Sequence, residues 1–165
     1  QGVSSAASDV YKRQVFMGET LWVGRTHLSW AGGEHLAQIE MKGVVPFDPL
    51  EVKIIPNGFQ VRFTKPVGEN VIDPTVWNIS RYTYAYHVKY GSPELDKEVV
   101  VPQKVVVGAD GKTVDVILPE VRENVVYDFD MKLVKSKAGE SLLNGKVAYT
   151  VRKRISAASG ANVSP

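Results

Sequence analysis

The chain of 165 residues contains no cysteine. That excludes disulfides, thiolate metal sites, a cysteine nucleophile and covalent c-type haem attachment through C-x-x-C-H. It leaves the compartment open, because exported bacterial domains without cysteine are ordinary. No run approaches the ~18 consecutive apolar residues that a membrane-spanning helix needs. Charge of one sign is also scarce: Lys+Arg 20 against Asp+Glu 18 gives +2, too even for a nucleic-acid groove. No Gly-x-Ser-x-Gly elbow, Walker loop or Gly-x-Gly-x-x-Gly fingerprint occurs. No stretch longer than a turn or two keeps helical spacing. What remains is a composition of 44% hydrophobic and 23% charged residues, which excludes wholesale disorder.

The ends read differently from the middle. Residue 1 is Gln, so the natural start is expected upstream. Ser4 to Gln14 has no apolar periodicity and lacks the regions of a signal peptide. It resembles translated sequencing-adapter sequence, and residues 1–15 are expected to be a non-native or disordered leader. Ser156 to Pro165 is small and polar, the composition of a disordered tail.

Between them, turn signals recur every 8 to 15 residues and separate β-branched and aromatic runs. Leu50–Ile55 and Phe59–Thr64 alternate apolar and polar residues around Pro56-Asn57-Gly58, where Asn-Gly is expected to supply the positive φ angles of a tight hairpin. Asp73-Pro74 predicts one helical turn, with Asp as cap and Pro at the first position. Strand character returns in Trp77–His87, in Val99–Val101 and in Lys104–Val107, with Pro102 as an interruption. Asp110-Gly111 predicts a second hairpin leading into Thr113–Leu118. Tyr127–Leu133 is apolar at odd positions, and Lys146–Val151 closes the set. Six or seven short antiparallel strands predict an all-β sandwich of immunoglobulin-like or fibronectin-III-like type over residues 46–155. Residues 16–45 predict a hairpin, Leu21–Gly24 with Leu36–Met41, around a loop holding Trp30.

Candidate chemistry is sparse. His27, His35 and His87 lack the short spacing of a zinc site and are expected at the surface. Glu94, Asp96 and Glu98 alternate along an extended segment that is read as a solvated loop rather than a calcium site. Tyr82, Tyr84 and Tyr86 share one face of a strand, with Trp77 and Tyr90 nearby. These five residues form a candidate ligand or docking face, with carbohydrate as the natural ligand. Packing of the stripe against the core or a neighbouring domain is the stronger expectation, with Arg81, Thr83 and Ala85 on the more polar side. Asn78-Ile79-Ser80 and Asn162-Val163-Ser164 match the N-glycosylation pattern by composition alone.

The order of the pieces carries a resemblance. Leu21-Trp22-Val23-Gly24, Trp30 in its Gly loop, Gly58-Phe59-Gln60-Val61-Arg62-Phe63, Asp73-Pro74-x-x-Trp77 and Tyr82-Thr83-Tyr84-x-Tyr86 come in sequence. Tyr90-Gly91-Ser92-Pro93-Glu94 and Asp110-Gly111-Lys112 follow. Together they resemble a junction in exported multidomain proteins of planctomycetes and related bacteria. There, a glucose/sorbosone-dehydrogenase-like β-propeller precedes an Ig-like domain and often a c-type cytochrome domain. The resemblance implies a non-catalytic Ig-like module whose hairpin is the last piece of the propeller. It implies a periplasmic or extracellular location, with the propeller and cytochrome domains as intramolecular partners. No nucleic acid, membrane span, metal or cofactor is expected in this chain, and any haem- or quinone-dependent redox activity belongs to the parent protein.

Overall fold

The computed structural model describes residues 14–18, 20–25, 35–40, 43–85, 87 and 91–156. It divides into two compact units, Gln1–Val44 and Val45–Pro165. The first is a three-stranded antiparallel meander of β1 (Gln14–Met17), β2 (Thr20–Arg25) and β3 (His35–Glu40). The predicted hairpin therefore gains a third strand, and that strand takes Gln14 and Val15 from the expected leader. Short-range alternation in only four residues is too weak a signal to identify such a strand. The register puts Val15, Met17, Trp22 and Leu36 on one face, and Leu21, Val23, Ala37 and Ile39 on the other. Val15, Met17, Leu36 and Ile39 are exposed, so apolar surface lies on both faces. The loop around Trp30, the first 13 residues and the tail beyond Ser156 lie outside the described residues.

The second unit is an antiparallel sandwich. One sheet has the order β4 (Pro49–Ile55), β5 (Gly58–Phe63), β9 (Thr113–Ile117), β8 (Lys104–Val107). The other has the order β11 (Lys146–Val151), β10 (Val125–Asp130), β6 (Asn78–Tyr84), β7 (Glu94–Val100). This is the strand order of a constant-type immunoglobulin sandwich, with β7 added beside β6. The crossover from β5 to β6 runs through 3-10 turns at Glu69–Ile72 and Pro74–Val76, and Asp73 caps the second by accepting from the Thr75 amide at 2.8 Å. Pro102 falls between β7 and β8, where the chain changes sheet, because proline cannot continue a ladder.

Three strand expectations need correction. The acidic segment from Glu94 is the edge strand β7, not a loop, and its six leading residues are all exposed. An edge strand with no buried face gives no alternation to read. Apolar alternation after Tyr127 stops at Met131, because a turn closed by Val134 N–H on Met131 C=O leaves Leu133 exposed. The β4–β5 turn is centred on Pro56-Asn57, and neither has positive φ. Gly58 is required for a different reason. A Cβ there would lie 2.0 Å from the carbonyl oxygen of Val116.

The core lies between the sheets. Phe59 packs its ring against Tyr127, Phe129 and Tyr149 at 5.0, 5.1 and 5.3 Å between centroids, two of these edge-on. Phe63 bridges Phe47 at 5.3 Å and Trp77 at 6.4 Å, extending the same layer. Val61, Val114, Val116 and Ile79 are fully buried around them.

Asp110 organises the second hairpin. Its carboxylate accepts from the Lys112 and Thr113 amides at 2.9 and 2.8 Å and from the Thr113 hydroxyl at 2.7 Å. Those hydrogen bonds, the Thr113 hydroxyl foremost, lower its pKa to about 2 from 3.8. A depressed carboxylate stabilises the fold above its unfolded value and loses that contribution as pH falls through the folded one. The Lys112 and Thr113 amide shifts are therefore expected to titrate near pH 2, and Asp110→Asn to abolish that titration in NMR spectra. Gly58→Ala is expected to destabilise the sandwich by about 2 kcal/mol, read as a lower urea midpoint at unchanged slope.

Candidate functional site

The five residues singled out in the sequence do not form one surface. Trp77 is 2% exposed, and its indole N–H donates to the Val71 carbonyl at 2.8 Å. Tyr86 and Tyr90 lie outside the described residues. Tyr82 and Tyr84 follow one another on β6, and the pairing with β10 decides where they point. Ile79 pairs with Phe129 and Arg81 with Tyr127, so these odd positions face the core. Ser80 pairs with Asp128 and Tyr82 with Val126, so the even positions face outward. The expectation that Arg81 marks the solvent side is thus reversed. Arg81 is buried, and the tyrosines lie on the outer face.

Tyr82 is nonetheless 5% exposed, although it stands apart from the core cluster. The Tyr84 ring meets it edge-on at 5.2 Å, and the Lys97 ammonium lies 5.3 Å from its centroid. The Tyr82 and Tyr84 hydroxyls share a hydrogen bond at 3.3 Å, in which the protonated Tyr82 phenol can be the donor. That hydrogen bond, then burial, then the nearby Asp128 charge push the Tyr82 phenol well above its ordinary pKa. Tyr84 keeps half its surface exposed. Between them, one ring is capped and one is open.

Inward, Arg81 is the centre of a charged network. Its Nε donates to Glu98 at 2.5 Å, and Nη1 donates to the Tyr127 hydroxyl and the Glu120 carbonyl, each at 3.3 Å. Arg122 donates to Glu98 and Glu120 at 2.7 Å each, while its backbone N–H donates to the Tyr127 oxygen at 2.9 Å. Two guanidinium groups and two carboxylates alternate, so the network carries no net charge. The hydrogen bond from Arg81, with the two arginine charges, holds the Glu98 carboxyl below its usual range. The Tyr127 contact back to the segment just before its own strand is the geometry of a tyrosine corner. Every buried side-chain polar atom among the described residues has a hydrogen-bond partner.

This network absorbs one of the three acidic residues considered for calcium. Glu98 serves the arginines, Glu94 pairs with Lys97 at 2.7 Å, and Asp96 sits at φ 53° where the β6–β7 register shifts. Among the described residues, no three His, Cys, Asp or Glu side chains are grouped to hold a metal ion. His87 is exposed, His27 lies outside the described residues, and His35 is placed on β3 by its backbone.

Sequence reasoning missed a second feature on the outer face. Asn78, Ser80, Lys97, Val99, Asp128, Asp130, Lys146 and Ala148 line a shallow trough of about 500 Å3 across β7, β6, β10 and β11. Asp128 and Asp130 alternate with Tyr127 and Phe129 along β10, but the rest of the lining comes from three other strands.

No family model matches the chain, and no curated sequence matches it. Solved structures do. The S-layer protein rSbsC(31-844) is 22% identical at a TM-score of 0.50, over 67% of this chain and 14% of that one. Domains 1–6 of the surface layer protein SbsC give 22% and 0.50, over 69% and 15%. The chain spans about one seventh of these proteins, and the likeness is one of fold.

Removing the Tyr127 hydroxyl leaves the Arg122 amide without its acceptor. Tyr127→Phe is expected to lower unfolding free energy by about 1.5 kcal/mol, whereas Tyr84→Phe stays within about 0.5 kcal/mol. Parallel urea titrations check both.

Proposed function

We propose that this chain is a non-catalytic segment of a larger exported bacterial protein, in which the sandwich serves as an Ig-like structural and interaction module. The meander before it belongs to the end of a β-propeller. The supporting observation is the exposure of Val15, Met17 and Leu36 on one face of the meander and Ile39 on the other. A three-stranded sheet with one buried face stands alone, but a sheet apolar on both faces suits a position between two neighbours, as in a propeller blade.

The sandwich fits the same role. Arg81, Arg122, Glu98 and Glu120 are engaged in fixing its strands to one another, and its fold is one that surface-layer proteins contain as a small part of a long chain. The resemblance to glucose/sorbosone-dehydrogenase-like proteins assigns any haem- or quinone-dependent sugar oxidation to the propeller and cytochrome domains of the parent. On this reading the parent works in the periplasm or outside the cell. Sequencing the source locus upstream is the direct test. A continuous reading frame of four-stranded blade repeats running into the meander is expected, and a frame without them rejects the propeller assignment.

A further inference from the structure

The trough on the outer sheet face is lined mainly by polar and charged side chains. Its floor is made of small residues: Asp128 on β10 has Ser80 of β6 on one side and Ala148 of β11 on the other. One register step away, Asp130 lies between Asn78 and Lys146. Lys97 and Val99 of the edge strand form the far wall, with Val99 73% exposed. The volume of about 500 Å3 is within the range of small-molecule sites.

The charges within it are assigned unequally. Asp130 is engaged by Lys132 at 3.0 Å and Lys97 by Glu94 at 2.7 Å. Asp128 has only the uncharged Ser80 and Ala148 as cross-strand neighbours, so its half-buried carboxylate opens into the trough. Two lysines against two aspartates leave the lining without net charge, and Asn78 and Ser80 both donate and accept. Further along the same face, roughly 13 Å from Ser80 at strand spacing, stands the half-exposed Tyr84 ring.

We propose that this trough binds a neutral saccharide. A carboxylate can accept from two adjacent hydroxyls, and the lysines, Ser80 and Asn78 supply donors to hydroxyl and ring oxygens. Tyr84, beyond Tyr82 on the same face, lies outside the trough and is reached only by a saccharide of more than one ring. Phosphorylated or uronic ligands gain no net attraction where two lysines cancel two aspartates, and apolar ligands leave the polar floor unsatisfied. The site thus differs from a tyrosine-stripe platform, because Lys97 already covers Tyr82. It is also independent of the structural role proposed above.

The test uses the full chain on an array of neutral and uronic-acid-bearing oligosaccharides, followed by calorimetric titration with the neutral glycan giving the strongest signal. Saturable binding is expected, weakened at least tenfold by Asp128→Asn and by Ser80→Leu, and unchanged by Glu51→Gln on the opposite sheet. Amide shifts of Ser80, Asp128 and Ala148 should move on titration. Lys146→Ala, at the solvent-exposed rim, provides a second variant should Ser80→Leu fail to fold. Absence of binding to every neutral glycan overturns the proposal. So does a preference for acidic glycans, or binding that survives Asp128→Asn and Lys146→Ala.

Discussion

The inward orientation of Arg81 sets the plan of this sandwich. Strand side chains alternate, so fixing one residue fixes every other residue on that strand. With Arg81 directed at Tyr127, Ile79 joins Phe129 in the core and Ser80, Tyr82 and Tyr84 must face out. A slip of one residue would place two tyrosines in the core and expel the Arg81 guanidinium and Ile79 together. Burying a cation is costly unless it is paired and hydrogen-bonded. Here the pairing residues sit at the sandwich margin, where Glu98 and Glu120 keep about half their side chains in water. The cluster therefore specifies register more than it adds stability.

That same cluster explains how β7 stays attached. The strand contributes only Val100 to the core, too little apolar area to hold an edge by burial. Glu98 ties it to Arg81 on the adjoining strand and to Arg122 beyond, while Lys97 folds over Tyr82 and pairs with Glu94. Electrostatic and cation–π contacts thus substitute for packing along one strand. On the opposite sheet, burial holds the central strands β5 and β9, where Phe59, Val61, Val114 and Val116 are completely enclosed.

Legibility in the sequence followed this division. Phe59, Val61 and Phe63, or Val114 and Val116, alternate with polar residues, and such strands can be read because one face is buried and the other wet. The Asp73-Pro74 and Asp110-Gly111 turns were readable because their side-chain chemistry is local. Arg81 was misread because charge ordinarily marks the solvent side, and its partners Glu98, Glu120 and Tyr127 are distant along the chain. β7 was misread because an edge strand with charged residues looks like a loop. Trp77 joined the candidate site by proximity in sequence, but the end of the crossover turns it into the core beside Phe63. The trough was not legible because it depends on four strands meeting in one register.

The positive φ of Asp96 and the shifted register beside it have one more consequence. A module embedded in a long chain lives near other modules at a local concentration of the order of millimolar, far above that of free domains. Under such crowding, an unbroken edge invites a neighbouring sheet to continue across the boundary and fuse two domains into one misassembled unit. A kinked border dense in charge denies that continuation. The irregular strand is in this sense a fence against edge-to-edge pairing with a second sheet.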